Sequence, residues 1–428
     1  MRILYDIFFL IFGILYIPVL LFKGKLHRDF SQKFGIIPAG IKVLDKPVWI
    51  HGVSVGEAAL AAKLARSIKK DFPDVPVVVS TTTQTGNNMA RKAGEGYVDA
   101  VFYYPMDVSG IVSRTVRDVD PRLYVMIETE LWPNLMEELS AREVPAVLVN
   151  GRISNSSFRN YKKIRFFTRR ILRCLDRLCM QSEVDLERVK ELGALEDKVF
   201  VTGNMKFDGA VQGSSEKISP AKLGLNGQDP VIVAGSTHFP EEQLVVDIYR
   251  DLKNSIGALK LVIAPRHIER AEAIKIYVEK ESLSCRRFSE ISENPGEAGQ
   301  FDVLLVDTIG HLKDIYGLAT VVFIGGSMVR KGGQNPIEAA CWGKPVVFGP
   351  NMFNFREVSE IFLQNGAAVK VDDNKQLKDE LKELLEDAGK REEMSKKAMN
   401  VIEENSGTIE RTMERIREYI GREVRDKG

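Results

Sequence analysis

The feature that most constrains the fold of this chain is a repeated alternation of short apolar segments with amphipathic helical segments. In the N-terminal half the apolar segments are residues 48–55 (VWIHGVSV), 75–83, 122–128, 144–150, 177–182 and 198–204. Continuous apolar runs are typical of strands buried on both faces, and their alternation with helices is typical of parallel sheets. The sequence therefore predicts an α/β fold.

The alternation stops and then resumes, which divides the chain. Residues 209–230 are rich in Gly, Ser and Pro, and apolar runs return at 230–236, 259–267, 302–308, 320–327 and 344–350. A chain of 428 residues is long enough for two hydrophobic cores. We predict two doubly wound domains, at residues 25–211 and 212–400, followed by a C-terminal helix at 401–428.

The first residues predict a membrane anchor helix at 1–24. Residues 3–22 are apolar apart from Tyr5, Asp6 and Tyr16, and a helix of about 20 apolar residues spans a bilayer. Cations are more frequent after this segment than before it, which predicts that the protein body lies on the cytoplasmic side. The alternatives are a helix lying in the membrane interface and a cleaved signal peptide, for which no small-residue cleavage site is present.

Charge and cysteine content narrow the classes of partner. The formal net charge of +1 argues against a general nucleic-acid-binding protein. The cysteines at 174, 179, 285 and 341 form no metal-binding spacing and are predicted to be free thiols. The Asp-Val-Asp sequence at 118–120 resembles a metal-binding motif, but we interpret it as a loop before a strand and expect no metal.

Polar residues follow several predicted strands, at the edge where doubly wound sheets bind ligands. Ser54 and Glu57 follow the first strand, and Glu57 is either a general base or a helix-capping glutamate. Glu128 and Glu130 follow strand 122–127, where two buried carboxylates are costly without partners or a function. Lys206 either neutralises a developing negative charge or is an ordinary surface lysine.

The most specific pattern is the Gly-rich segment 323–350. Gly325-Gly326-Ser327 ends a predicted strand, Gly332-Gly333 forms a second turn, and Asn335-Pro336-Ile337-Glu338 starts a helix. Exposed N–H groups at such turns and helix starts bind anions, and Glu338 could accept hydrogen bonds from a ribose. The segment predicts a nucleotide site, with Arg266 at the end of another strand as a candidate phosphate ligand.

Residues 151–173 form the one locally basic segment, in which Arg and Lys alternate with Phe and Tyr. Such a segment suits anionic lipid headgroups or a phosphorylated acceptor. The alternative is a solvated helix face without a ligand.

Together these motifs resemble the 3-deoxy-D-manno-octulosonic acid (Kdo) transferase family. The matching segments are, in order, HGVSVGE, ETELWPN, NGRIS, GNMKFD, GSTH, APRH, DTIG, GGS, GGQNPIEAA and FGPNMFNF, which cover nearly the whole chain. The resemblance implies a GT-B fold, meaning two Rossmann-like domains with a cleft between them. It also implies transfer of Kdo from CMP-Kdo to the lipid A precursor at the bacterial inner membrane, during lipopolysaccharide synthesis.

The resemblance also assigns roles to individual residues. It implies that Glu57 is the general base and that Glu128 and Lys206 stabilise the transition state. The implied donor-binding residues are Pro265, Arg266, Ile309, Gly310, His311, Gly326, Ser327, Asn335, Pro336, Ile337 and Glu338. The acceptor is expected at Ser54, Glu130 and Arg152. The chain departs from the family at His311, where Glu is frequent, and at Gln334, where His is frequent.

The implied mechanism is a direct displacement with inversion, in which CMP leaves without help from a metal or other cofactor. Because Glu57 and the nucleotide segment lie in different predicted domains, domain closure is part of this hypothesis. Two alternatives remain open: another GT-B enzyme such as a UDP-sugar epimerase, and a non-catalytic, membrane-tethered scaffold that binds phospholipid.

Overall fold

The computed structural model describes residues 5–7, 29–208, 218–293 and 300–421. These residues form two compact units. The first contains the described residues up to Asp208 and those from Gly407 onward, and the second contains those from 218 to Ser406. Each unit has a parallel sheet covered by helices, so the predicted α/β fold with two parallel sheets is confirmed.

The described part of the first unit contains a seven-stranded sheet in the order β3-β2-β1-β4-β5-β6-β7, in which every pair is parallel. Residues along the central strands are completely buried, because helices cover both faces. The strands are β1 Val48–His51, β2 Val77–Thr81, β3 Ala100–Tyr103, β4 Leu123–Ile127, β5 Ala146–Gly151, β6 Arg177–Met180 and β7 Val199–Val201.

The strand order reverses between β1 and β4, which are neighbours in the sheet although two strands separate them in sequence. In doubly wound sheets the crevice beyond the carboxyl ends of such a strand pair is the usual ligand site. Ser54 and Glu57 follow β1, and Glu128 and Glu130 follow β4. The topology therefore places these predicted site residues at one edge.

The longer helices of the first unit connect these strands. They are α1 Val55–Asp71, α2 Gln84–Ala93, α3 Ser109–Val119, α4 Pro133–Ala141, α5 Asn155–Lys163, α6 Arg165–Leu172 and α7 Glu183–Leu192. Shorter helical segments are Ala39–Lys42 and the 3-10 turns Phe30–Phe34 and Glu196–Lys198. Asp118, predicted in a loop, lies in α3 and pairs with Lys42 at 2.7 Å.

The described part of the second unit contains another parallel seven-stranded sheet, in the order β10-β11-β9-β8-β12-β13-β14. Its strands are β8 Val231–Thr237, β9 Lys260–Pro265, β10 Cys285–Arg287, β11 Val303–Leu305, β12 Val321–Ile324, β13 Val346–Phe348 and β14 Ala368–Lys370. The reversal lies between β8 and β12, so residues after these two strands share the ligand-binding edge.

The second unit also contains both longer and shorter helices. Its longer helices are α8 Glu241–Lys253, α9 Ala271–Lys280, α10 Arg356–Gln364, α11 Asn374–Glu386 and α12 Ala388–Asn405. Its short helices and 3-10 turns are Pro220–Leu223, Ile268–Arg270, Phe288–Glu293, Leu312–Ile315, Tyr316–Leu318 and Ile337–Ala340.

The last described helix, α13 (Thr408–Ile420), belongs to the first unit. Its Met413, Ile416 and Ile420 are buried in the same core as β1 and β4. Asp208 accepts hydrogen bonds from the N–H groups of Thr408 (3.1 Å) and Ile409 at the start of α13. The structure thus divides the chain after residues 208 and 406, whereas the sequence predicted boundaries after 211 and 400.

The predicted anchor at 1–24 lies almost entirely outside the described residues, which include only residues 5–7 of it. In the part of the chain that the structure describes, no helix combines the length and the hydropathy needed to cross a bilayer.

Candidate active site

Glu57 is held by hydrogen bonds at both of its carboxylate oxygens. Ser54 is the N-cap of α1: its hydroxyl accepts from the Glu57 N–H (3.3 Å) and donates to Glu57 Oε1 (2.7 Å). The Val53 N–H donates to Oε2 at 2.7 Å. This is a variant of the capping box in which the Val53 N–H takes the place of the N-cap N–H, so the capping interpretation of Glu57 describes its geometry. Because an ionised carboxylate has about four acceptor positions, it still has room to accept a substrate proton.

A glycine that the sequence did not single out brings Glu57 to the strand end. A Cβ at Gly52 would lie 3.0 Å from the Cβ of Glu57, closer than such atoms normally approach. By contrast, a Cβ at Gly56 would meet only the Ser54 hydroxyl oxygen at 3.8 Å. The close packing of α1 on β1 therefore depends on Gly52.

Glu128 and Lys206 meet at the same edge. Lys206 Nζ lies 3.5 Å from Glu128 Oε1. Burial raises the pKa of Glu128, while the charges of Lys206 and Arg152 lower it and the charge of Glu57 raises it. These mutual effects show that Glu57, Glu128, Arg152 and Lys206 form one electrostatic cluster.

The backbone around this cluster has two residues in strained conformations, and hydrogen bonds hold its loops in place. Glu128 has a φ of +60° and Asn150, at the end of β5, a φ of +52°, and such non-glycine residues concentrate at functional sites. Asn150 Oδ1 accepts from the Met205 N–H at 2.9 Å. The Thr129 hydroxyl donates to the Arg152 carbonyl (2.5 Å) and accepts from its N–H (3.2 Å). These bonds fix the loops that carry Lys206 and Arg152.

Glu130 is the carboxyl group of the cluster that titrates near neutrality. Burial, followed by the charges of Glu57 and Glu128, raises the pKa of Glu130 to about 7. Glu57, Glu128 and Glu130 therefore form a coupled group of three carboxylates. Because like charges disfavour each other's ionisation, the group holds a proton at pH values where a separate carboxylate would not.

We expect the Glu130→Gln variant to lose a titration from its pH–rate profile. In the wild type, kcat/KM should change several-fold between about pH 6 and 8, because ionisation of Glu130 alters the field at Glu57 and Glu128. The variant should be nearly flat over that interval. The matched control is Glu95→Gln, at an exposed carboxylate of the same unit. An unchanged profile in Glu130→Gln would refute the coupling.

His51 lies at the end of β1 and is completely buried. Its Nδ1 is 2.9 Å from the Ser80 hydroxyl oxygen, its ring lies against Tyr104 with centroids 3.9 Å apart, and its Nε2 has no hydrogen-bond partner among the described residues. Burial lowers the pKa of the imidazole to about 3. The folded protein therefore holds His51 neutral, as a structural residue beneath the site.

We expect acid to destabilise the first unit through His51. Because the folded pKa lies below the ordinary value of about 6.5, His51 contributes no penalty above pH 6.5, and stability falls as pH drops from there towards 3. At pH 5 the loss should be roughly 2 kcal/mol. Urea titrations at pH 7 and pH 5 measure how much the free energy of unfolding falls between these two pH values. The fall should be smaller by this amount in His51→Phe than in the wild type. Equal drops in the two proteins would contradict it.

In the second unit, a buried glutamate occupies the turn predicted to bind the nucleotide. Glu241 is 1% exposed. Its Oε2 accepts from the N–H groups of Gly326 (2.6 Å) and His238 (2.9 Å), and its Oε1 accepts from the Met328 N–H (2.9 Å). The N–H of Gly326 is therefore already bonded within the protein. The expectation that this turn offers free N–H groups to an anion is wrong for Gly326.

Gly325 and Ser327 are likewise parts of the fold. A Cβ at Gly325 would lie 2.4 Å from the Ser236 carbonyl oxygen, so β8 and the turn approach too closely for any other residue. Ser327 is completely buried; its hydroxyl donates to the Ile324 carbonyl (2.5 Å) and accepts from the Gly349 N–H (2.8 Å). Ser327 joins the ends of β12 and β13 and has no exposed atom that could contact a sugar-nucleotide donor.

The segment Asn335–Glu338 is also bonded internally. Asn335 Oδ1 accepts from the Ile337 N–H (3.2 Å), and Asn335 Nδ2 donates to Glu338 Oε1 (3.3 Å). Pro336 and Ile337 are buried, and the following helix has only four residues. Asn335 thus satisfies one of the N–H groups that were expected to face a phosphate. The groups of this segment that could contact a nucleotide are the polar side chains of Asn335 and Glu338.

A cluster of basic side chains lies beside the turn that Glu241 occupies. The rings of His238 and His267 are 5.5 Å apart. Burial, and then the charges of His267, Lys331, Arg266 and Arg270, lower the pKa of His238. Arg266 is exposed and directly follows the buried Pro265 at the end of β9. Of these residues the sequence predicted Pro265 and Arg266 as site residues. Lys331, the seventh residue after β12, had no distinguishing sequence signal.

The turn at 309–311 is exposed and irregular. Ile309 is 81% exposed, and Gly310 has a φ of +103°, which only glycine adopts readily. His311 stacks on Phe288, with ring centroids 4.8 Å apart. The three residues are accessible to a ligand, as a donor-contacting turn requires.

The basic segment 151–173 forms α5 and α6 and is mostly exposed. Part of its charge is balanced by other helices, since Lys162 pairs with Glu191 and Arg170 pairs with Glu137. Phe166 is 80% exposed beside Arg165. The remaining surface joins an exposed aromatic ring to cations.

Comparison with known proteins identifies both parts of the chain. Residues 28–209 match the family model for 3-deoxy-D-manno-octulosonic-acid transferase (kdotransferase), and residues 219–401 match the model for glycosyl transferases group 1. Among solved structures, the UDP-GlcNAc 2-epimerase of Neisseria meningitidis bound to UDP-GlcNAc is similar with a TM-score of 0.58 and 13% identity, covering 87% of this chain and 100% of that one. At that identity the likeness shows a shared fold alone.

Curated relatives are similar over nearly the whole length. The 3-deoxy-D-manno-octulosonic acid transferase of Haemophilus influenzae is 30% identical over 416 residues, which are 96% of each chain. The enzyme of the same name from Bordetella pertussis is 32% identical over 386 residues, 88% of each chain. With these matches over most of each chain, the chain belongs to the 3-deoxy-D-manno-octulosonic acid transferase family of glycosyltransferases.

Proposed function

We propose that this chain transfers Kdo from CMP-Kdo to a hydroxyl group of a lipid A precursor, with inversion at the anomeric carbon. Membership of the Kdo transferase family supports the sugar that is transferred. The observation that carries the chemistry is the cluster at the carboxyl edge of the first sheet, where Glu57, Glu128 and Lys206 influence one another.

In the proposed reaction, Glu57 removes the proton of the acceptor hydroxyl as its oxygen attacks the anomeric carbon of Kdo. The bond from that carbon to the phosphate oxygen breaks, and CMP leaves with the electron pair. The Ser54 hydroxyl and the Val53 N–H hold the Glu57 carboxylate in one orientation, which lowers the cost of aligning the base. Lys206 and Arg152 supply positive charge where negative charge develops.

The second unit is proposed to hold the donor. The cations Arg266 and Lys331, whose charges lower the pKa of the nearby His238, would attract the phosphate of CMP. The exposed turn Ile309–His311 and the polar atoms of Asn335 and Glu338 are proposed to contact the rest of the nucleotide. Gly326, Ser327, Pro336 and Ile337 support these contacts from within the fold.

The acceptor is proposed to be lipid-bound, with the protein on the cytoplasmic face of the inner membrane. The apolar segment 3–22 supports an N-terminal anchor. The exposed Phe166 and its neighbouring cations support contact with anionic lipid. Ser54, Glu130 and Arg152, at the edge that carries Glu57, are proposed to contact the acceptor sugar.

The test is incubation of the full chain, in lipid vesicles, with CMP-Kdo and the tetraacyl lipid A precursor, followed by mass analysis of the lipid. We expect a product heavier by one or more Kdo residues, together with released CMP. A parallel incubation with UDP-GlcNAc tests the epimerase alternative. Lipid binding without any product would favour the scaffold, and an epimerised nucleotide sugar would favour the other enzyme class.

A further inference from the structure

One acidic residue interrupts the apolar N-terminal segment. Asp6 is the fourth residue of the run 3–22. Ionisable residues within apolar membrane segments are rare and are usually paired or functional. In the structure residues 5–7 belong to the first unit, where Asp6 has hydrogen-bond partners.

The Asp6 carboxylate is hydrogen-bonded to the starts of two helices. Oδ1 accepts from the Ser109 N–H at 3.1 Å and from Asn134 Nδ2 at 2.7 Å, and Oδ2 accepts from the Ser109 hydroxyl. Ser109 begins α3 and Asn134 lies in the first turn of α4. A negative charge is favourable at a helix N-terminus, and here one carboxylate serves two.

The side chain of Asn134, which binds Asp6, is buried and has a further partner. Asn134 is 1% exposed, and its Nδ2 also donates to the Asp107 carbonyl at 2.7 Å. The completely buried Asp107 carboxylate accepts from the N–H groups of Asn134 (3.0 Å) and Leu135 (2.9 Å) and bonds to Tyr5. Asp6 and Tyr5 therefore join a hydrogen-bond network that links Asp107 to the start of α4.

This network lies at the catalytic edge, which is the carboxyl edge of the first sheet where Glu57, Glu128 and Glu130 lie. Asp107 follows β3, and Asn134 is four residues beyond Glu130. Asp107 and Asn134 therefore occupy the same carboxyl edge that carries Glu57, Glu128 and Glu130. The start of the apolar segment is thus attached beside the acceptor side of the site.

We propose that Asp6 is a positioning residue that fastens the apolar N-terminal segment to the catalytic edge, so that a lipid surface is held against the site where the acceptor reacts. The inference rests on the proposed lipid acceptor. Asp6 does not touch the reacting atoms. Its role is to fix the distance between the anchored segment and Glu57, which matters only for an acceptor embedded in a lipid surface.

The test compares Asp6→Ala with the wild type on two acceptors. With the tetraacyl precursor in phosphatidylglycerol-containing vesicles, kcat/KM should fall about tenfold or more, since an oriented reactant contributes up to several orders of magnitude. With a deacylated, water-soluble precursor, the variant should equal the wild type. Asp6→Asn should retain most of the vesicle activity, because an amide can bond to both the N–H and the hydroxyl of Ser109.

Two further measurements separate this role from folding and from anchoring. Asp6→Ala should sediment with vesicles as the wild type does, because the apolar segment is unchanged. Ser109→Ala, which removes a single donor to Asp6, should show a smaller loss in the same direction. The control is Asp74→Ala, an exposed carboxylate before β2 at the opposite edge of the sheet.

The outcomes are distinguishable. Three results would overturn the positioning role of Asp6 and leave the proposed function intact: full vesicle activity in Asp6→Ala, an equal loss on both acceptors, or release of the variant from vesicles. Failure of the wild type to modify either acceptor would overturn the proposed function itself.

Discussion

Replacing Glu57 by Gln should reduce transfer by about 10²- to 10⁴-fold, the usual contribution of a general base. The change keeps the size of the side chain, and the amide can still accept from the Val53 N–H and donate to the Ser54 hydroxyl. Loss of the negative charge at the start of α1 should cost only about 1 kcal/mol of stability. The measurement is the initial rate of product formation by mass analysis at saturating donor.

CMP binding separates loss of chemistry from loss of structure in this variant. Because Glu57 belongs to the first unit and the proposed nucleotide contacts belong to the second, the affinity for CMP by calorimetry should be unchanged. Glu95→Gln, at an exposed position of the same unit, should behave as the wild type. Turnover retained by Glu57→Gln would assign the base to another residue of the cluster.

Glu241→Ala should lower the free energy of unfolding of the second unit by about 3 kcal/mol or more. The change leaves the N–H groups of His238, Gly326 and Met328 without their carboxylate acceptor, and each unsatisfied buried donor costs roughly 1–3 kcal/mol. Water entering the space would recover part of this cost. Urea unfolding, followed by tryptophan fluorescence and circular dichroism, measures the effect.

The same variant should bind CMP at least about tenfold more weakly, because the turn that Glu241 organises leads directly to Lys331 and Asn335. Calorimetric titration with CMP measures this affinity at a temperature where the variant remains folded. Glu269→Gln is the matched control, an exposed glutamate on the same unit. Unchanged CMP affinity in a folded Glu241→Ala would exclude the turn from the donor site.

The buried strands were predictable because they leave a clear signal. β1, β4, β8 and β12 are fully or almost fully buried along their length, and such strands need unbroken apolar runs. The strands that the sequence did not predict, β3, β10 and β14, all lie at sheet edges. Edge strands such as β10, with sequence Cys-Arg-Arg, tolerate polar residues and so lack the apolar pattern.

The candidate site was predictable in its location and only partly in its function. The strand-end rule located Glu57, Glu128 and Lys206, and the structure brings them into one electrostatic cluster. The same rule selected Gly326 and Ser327, which the structure shows to be bonded within the fold. A Gly-rich turn has the same sequence pattern whether its N–H groups bind a phosphate or a carboxylate of the protein itself.

By itself, the sequence determined the two parallel α/β units, the polar strand ends and, through its motifs, the Kdo transferase family. These follow from periodicity and from residues near one another in the chain. Only the tertiary structure decided which partner each polar group has: Glu241 with the turn at Gly326, Asp6 with Ser109 and Asn134, and α13 with the first core. Those partners are separated by 85 to several hundred residues, and hydrogen bonds over such separations depend on packing that no local pattern encodes.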